Sequence, residues 1–265
     1  MTIEINTGST SMKSAETAIQ EAEYDVPYHH IPVITNDGLH DYWYWSWGVR
    51  YLAGLDAVSK QLDTLEWKSI RDLGCGDGRF VRELRRRYPD RTIGGVDVSA
   101  KALAWARIFD DGASFEERDI VTTSPSNLVD VITLVEVLEH IEPTQLAGFV
   151  RRAAEELRPD GYAIVTVPHS NIKTTPKHYQ HFNSETLAAA LGDSFEIEKV
   201  FFMDKPSRVF RWFMRALGGE GTLYLITNSK LRKRLYDFYF RNCQFSDDES
   251  RCKRLLVVAK RRPLT

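Results

Sequence analysis

Apolar residues in this chain fall into two kinds of stretch that alternate along its middle. Residues 69–73, 92–96, 129–135 and 162–167 are short, nearly continuous apolar runs, the pattern of strands buried on both faces. Between them apolar positions recur at helical spacing. Phe80, Val81, Leu84 and Tyr88 share one face, while Arg82, Glu83, Arg85, Arg86 and Arg87 lie elsewhere. Ser99 is a natural N-cap for a helix over 100–108, and 143–157 forms the next helix, closed by the turn Arg158-Pro-Asp-Gly161. Strand and helix in strict alternation predict a parallel sheet with right-handed crossovers. A short edge strand is expected at 115–120, and two further strands at 195–202 and 255–259. An amphipathic helix over 49–65 leads into this core.

The flanking segments read differently. Residues 1–22 are rich in Ser, Thr and Glu and poor in large apolar side chains, so disorder is expected there. Tyr24, Tyr28, Tyr42, Trp43, Tyr44, Trp45 and Trp47, with the adjacent His29 and His30, then crowd into 24–47. They suit either a hydrophobic cover on the core or a lid that lines a substrate pocket. The connection 203–254 is too long for a loop and carries helical patterns at 209–217 and 231–240. One domain over 23–265 results, with a cover at 23–66 and a helical insertion at 203–254.

Composition narrows the partners. With 265 residues, 43% hydrophobic and 27% charged, and a formal charge of −2, the chain reads as an ordinary soluble domain with no general affinity for nucleic acid. Cys75, Cys243 and Cys252 have no metal-type spacing and form no even framework, which places the chain in a reducing cytoplasm. No run approaches a membrane span, and residues 1–22 are too polar for a signal peptide.

The chemistry concentrates after the first strand, in Asp72-x-Gly74-x-Gly76-x-Gly78, where side chains would block close approach of backbone to a ligand. The dinucleotide fingerprint spaces its glycines otherwise, as G-x-G-x-x-G. Asp97, at the end of the next strand, stands where an acid can accept hydrogen bonds from ribose hydroxyls. From Ser69 to Pro168 the sequence resembles the class I S-adenosylmethionine (SAM) methyltransferases. That resemblance implies a Rossmann-like α/β fold, a seven-stranded mostly parallel sheet with helices on both faces, ending in an antiparallel pair. It implies SAM held by Asp72, Gly74, Cys75, Gly76 and Gly78 on the loop, and by Asp97 and Val98 after the second strand. Asp119 would face the adenine amino group and Ile120 the ring, with Val135 closing the pocket.

Glu136-Val-Leu-Glu139-His140 follows the central strand, at the edge where open α/β sheets bind ligands. Three readings stand. Glu136 and His140 line the cofactor pocket; or His140 is the general base for an acceptor hydroxyl; or Glu136, Glu139 and His140, joined by His181, bind a divalent metal, Mg²⁺ foremost. The last string is similar to the O-methyltransferases of ubiquinone biosynthesis and to small-RNA 3′-terminal 2′-O-methyltransferases. His169 and His178 read as pocket or surface residues. The expected function is therefore O-methylation of a small-molecule hydroxyl on a saccharide, glycolipid or quinol. Methylation of an RNA 3′-terminal ribose and a non-catalytic SAM-binding subunit are the rivals. Residues 208–234 carry seven cations against the single acid Glu220, interleaved with aromatic rings. Solvated helix faces, a contact of 208–240 with a membrane surface or glycolipid, and a homodimer interface are all compatible with that pattern.

Overall fold

The computed structural model describes residues 15–24, 27, 29, 33–35, 38–40, 46–216 and 229–263. Most of the aromatic stretch 24–47, the joint 217–228 within the insertion and residues 1–14 lie outside them. The remaining part of the stretch expected to be disordered is helical: α1 covers Ala15–Glu23. Its sequence, Ala-Glu-Thr-Ala-Ile-Gln-Glu-Ala-Glu, consists mostly of strong helix formers, and composition alone had obscured that. A two-stranded ribbon, β1 (Val33–Thr35) and β2 (Gly38–His40), precedes α2 (Ser46–Leu62).

The alternating elements then run in order: β3 (Ser69–Leu73), α3 (Arg79–Arg87), β4 (Thr92–Asp97), α4 (Ala100–Phe109), β5 (Ser114–Glu117) and β6 (Val129–Val135). They continue with α5 (Leu146–Glu155), β7 (Leu157–Pro168), α6 (Ser184–Leu191), β8 (Phe195–Met203), α7 (Arg208–Ala216), α8 (Ser229–Asn242), β9 (Phe245–Ser246) and β10 (Arg254–Arg261). The sheet order is β5-β4-β3-β6-β7-β10-β8-β9. Strands β3 to β7 are parallel, and β10 lies antiparallel between β7 and β8. Chain order reverses between β3 and β6, so the segments leaving those two strands flank one crevice at the carboxyl edge.

The sheet has eight strands, not the seven expected. The extra one, β9, pairs only Phe202 with Ser246 and Met203 with Phe245; two residues are too few to show alternation. A second difference is local. The expected turn at 158–161 sits inside β7 as a bulge: Leu157 pairs Val129 and Tyr162 pairs Val131, with Asp160 at φ 63°.

Three apolar clusters hold these layers. Leu146, Phe149, Val150 and Ala153 of α5 and Leu187 of α6 cover one sheet face. Leu52, Leu55, Val58 and Leu62 of α2, with Phe80, Val81 and Leu84 of α3, cover the other. Each of these buried leucines, valines and phenylalanines stabilises the fold by roughly 1.5–3 kcal/mol. The third cluster seats the insertion: Phe210, Met214, Leu235, Tyr236 and Tyr239 pack on Val49 and Ala53 of α2. The aromatics of α7 and α8 are thus largely core, and Trp212 alone among them is strongly exposed, at 64%.

Candidate active site

All three loop glycines adopt the left-handed region, with φ 74° at Gly74, 55° at Gly76 and 76° at Gly78. A Cβ at Gly74 would stand 2.8 Å from Val137 Cγ2, and one at Gly78 2.7 Å from Ala106 Cβ. Conformation and space both demand glycine here. The loop hangs on the neighbouring strand, where Gly74 and Cys75 N–H donate to Val96 O at 2.8 and 3.0 Å. Asp72 is buried and accepts a 2.6 Å bond from Thr133 Oγ1, and burial pushes its carboxyl up to about 7 despite that bond. Burial likewise raises the Cys75 thiol, so Cys75 is a packing residue.

Asp97 ends β4 and accepts from Gly76 N–H through Oδ2 and from Ser99 N–H through Oδ1, both at 2.8 Å. Burial nonetheless holds its pKa above the ordinary carboxylate value. Beside it the apolar Val98 is 66% exposed. Across the edge, Asp119 is exposed and Ile120 buried. Their loop is anchored by Arg118, whose guanidinium forks onto Glu156 at 2.8 and 3.1 Å. Val135 is half-buried below. A glycine cradle, an acid at the ribose position, the apolar Val98 and a second acid fit an adenosyl group.

The end of α1 lies over this edge. Ser99 Oγ donates to Glu21 Oε1 at 3.0 Å, and Trp105 Nε1 donates to Tyr24 O at 3.0 Å. Tyr24 Oη stands 2.7 Å from the place a Gly76 Cβ would take. His29 Nδ1 comes within 3.0 Å of the buried Asp77 carboxylate. Lys177 Nζ reaches back to Glu23 at 2.8 Å. The described part of the aromatic stretch therefore touches the glycine loop itself; His30 lies outside the described residues.

The central strand is followed directly by Glu136, a non-glycine residue at φ 57°. Such a conformation costs about 1–2 kcal/mol and persists where surroundings impose it. It turns Glu136 toward Arg254, with Oε1 3.1 Å from Nε, close as charges though poorly aligned as a hydrogen bond. Leu138–His140 then form one 3₁₀ turn. Glu139 is fully buried, and neither of its carboxylate oxygens has a hydrogen-bond partner among the described residues. Burial, with Glu136 adding, pushes its pKa well above the usual range.

Two imidazoles face that carboxylate. One donor atom from each of Glu139, His140 and His178 falls within a 4.8 Å group. His140 Nδ1 lies 2.8 Å from Lys177 O, so it carries the proton and Nε2 is bare. His181 Nδ1 lies 3.0 Å from Ile172 O, and its Nε2 then accepts from His178 Nδ1 at 2.8 Å. That relay leaves His178 Nε2 bare too. Burial lowers His140 to about 4 and His178 to about 3, keeping both neutral. The segment is tied down by Tyr179 N–H to Glu139 O at 2.9 Å.

The set brought together is thus Glu139, His140 and His178. Glu136 and His181, both expected as ligands, stand outside it. The left-handed Glu136 breaks the helical run that would have aligned i, i+3 and i+4, and both ring nitrogens of His181 are engaged behind His178. His178 was read as a pocket or surface residue. The i, i+3 spacing of His178 and His181 was its only signal. His169 is structural, with Nδ1 accepting from Asn171 N–H at 2.9 Å and Nε2 3.0 Å from Glu249. Arg254 and Tyr24 were not singled out individually.

Comparison with known proteins agrees with this architecture. A family model described as a methyltransferase domain matches residues 44–219, so the chain belongs to the class I SAM-dependent methyltransferases. Trans-aconitate 2-methyltransferase of Methylobacterium nodulans is 35% identical over 37% of this chain and 38% of its own length. Ubiquinone biosynthesis O-methyltransferase of Alkalilimnicola ehrlichii is 28% identical over 61% of this chain and 65% of its own. The chain thus spans less than two thirds of these curated relatives. In structure it resembles the N-methyltransferase NodS of Bradyrhizobium japonicum bound to S-adenosyl-L-homocysteine, with a TM-score of 0.53 at 17% identity, covering 81% of this chain and 88% of that one. No helix among the described residues is long and apolar enough to cross a membrane.

Proposed function

We propose that the chain transfers the methyl group of SAM to a hydroxyl oxygen of a small molecule, and that Glu139, His140 and His178 hold a divalent cation where that hydroxyl docks. The unpartnered carboxylate of Glu139, buried beside two bare imidazole nitrogens, carries this reading. A carboxylate in that position costs several kcal/mol unless a cation or proton compensates it. SAM supplies an electrophilic methyl, and transfer is an in-line displacement in which the protein chiefly positions the acceptor and disposes of its proton. The glycine loop and Asp97 orient the adenosyl end. Tyr24 and the end of α1 keep water from the same edge. A bound divalent cation would supply charge that lowers the pKa of a coordinated hydroxyl. One carboxylate and two imidazoles suit Mn²⁺, Fe²⁺ or Zn²⁺ better than the Mg²⁺ expected from sequence, which prefers an all-oxygen shell. The ubiquinone biosynthesis O-methyltransferases among the relatives support oxygen as the acceptor atom.

The test uses stability as well as turnover. Mn²⁺ or Zn²⁺ added to chelator-treated protein is expected to raise the Tm, and Glu139→Gln to abolish that rise. Glu139→Gln is also expected to stabilise the metal-free protein by about 1–2 kcal/mol, because it removes the uncompensated carboxylate. Affinity for S-adenosylhomocysteine is expected to stay within about twofold. A chelated wild type that gains nothing from any cation, yet methylates phenolic or saccharide acceptors at full rate, would leave His140 as a base acting alone.

A further inference from the structure

A cleft of about 670 Å³ opens beside the carboxyl edge, lined by Lys205, Ser207, Arg208, Arg211, Asn242 and Arg251. A smaller one of about 120 Å³ shares Lys205, Ser207 and Arg211 and adds Asp204, Arg215 and Lys253. No ion pair joins Lys205, Arg208, Arg211, Arg215 or Arg251 to a carboxylate among the described residues, whereas Arg71, Arg79, Arg85, Arg87, Arg118 and Arg254 all have one. With a chain charge of −2, this local excess is not a general property of the surface. The first turn of α7 opens here as well, capped by Ser207 Oγ accepting from Phe210 N–H at 3.2 Å, which adds partial positive charge.

The place is also connected to the active site. Asp204, which lines the smaller cleft, sits at φ 60°, accepts a hydrogen bond from the buried Tyr239 hydroxyl and lies 3.7 Å from Arg254 Nη1. The same guanidinium faces Glu136 through Nε. One side chain therefore separates the cleft from the residue that follows the central strand. The backbone beneath is pinned, with Lys205 N–H donating to Cys243 O at 2.7 Å.

We infer that this cleft seats a polyanionic group of the methyl acceptor, a phosphoryl ester or a polycarboxylate, and so fixes the acceptor's remote end while its oxygen faces the cofactor. The inference rests on the methyl-transfer reading for what the bound group belongs to, but the binding itself does not require turnover. Charge-assisted contacts from several guanidinium groups give the affinity, and the concave, preformed wall favours a small ligand.

Titration calorimetry on the full chain loaded with S-adenosylhomocysteine tests it, with pyrophosphate and citrate as separate probes. At least one is expected to bind saturably at 0.15 M salt, and the preferred probe tells phosphoryl from polycarboxylate. Arg208→Gln combined with Arg211→Gln is expected to weaken binding at least about tenfold while leaving affinity for S-adenosylhomocysteine unchanged. That last readout reports an intact fold and cofactor site, so loss of anion binding and failure of the methyl-transfer reading remain separable. Absence of saturable binding by either probe overturns the inference, as does binding that the double substitution leaves intact. Wild-type protein that cosediments with phosphatidylglycerol vesicles but binds neither probe overturns it in favour of a membrane-docking face.

Discussion

The two sides of the crevice are built on different principles. On the side of β3, β4 and β5, recognition is written into the backbone. Three left-handed glycines, the loop's bonds to Val96 O and Asp97's bonds to two N–H groups all arise within residues 74–99. On the side of β6, β7 and β10, the candidate site is assembled from side chains of distant segments: Glu139 and His140 at one place, His178 and His181 at another, Arg254 near the end. The first is local and tolerates little change, while the second depends on how loops are folded together.

Gly78→Ala should expose that difference most strongly. The new Cβ would stand 2.7 Å from Ala106 Cβ and 2.8 Å from Phe115 Cζ at φ 76°. Strain and overpacking together should cost about 2–5 kcal/mol in urea denaturation, and affinity for S-adenosylhomocysteine should be lost as well. A stable Gly78→Ala protein with normal affinity would end the claim that backbone geometry carries this side.

Asp72→Asn should act in the opposite direction on stability. The folded carboxyl, at about 7, lies above its ordinary 3.8 because of burial. Between pH 4 and 7 the unfolded chain has therefore released a proton that the folded chain retains. Stability falls as pH rises through that window, and the full penalty applies above pH 7. The substitution should raise stability by about 2–4 kcal/mol at pH 8 and by almost nothing at about pH 3, where both states are largely protonated. Denaturation at the two pH values checks the sign. Equal effects at both would place the ionisation elsewhere.

The smallest effect is expected where the two sides meet. Lys177, at the histidine cluster, holds Glu23 of α1 across the crevice at 2.8 Å with both groups partly exposed. Lys177→Met should cost no more than about 1 kcal/mol, yet speed amide exchange over 15–24. In the wild type, exchange there should slow when S-adenosylhomocysteine binds. Unchanged protection in both comparisons would reduce α1 to packing.

Much of this was legible in the chain. While the antiparallel pair closing the sheet was implied by the family resemblance, the alternation of strands and helices and the glycine loop with its acids follow from local patterns, since glycine spacing and apolar periodicity act over a few residues. The insertion's helices were legible for the same reason. What was hidden shares one cause: it depends on positions far apart in sequence. β9 is two residues that count as a strand only because β8 lies beside them. The bulge at 158–161 follows from a register that β6 imposes.

The sequence by itself thus determined the layers, the cofactor loop and the chemical types gathered beyond the central strand. Only the tertiary structure decided which of those groups meet. A partly buried Arg254, 118 positions after Glu136, draws that carboxylate out of the cluster through charge. Ile172 O fixes the tautomer of His181, which in turn leaves Nε2 as the bare nitrogen of His178. Ion pairs and tautomers are set by partners brought close through folding, and no spacing along one chain encodes them.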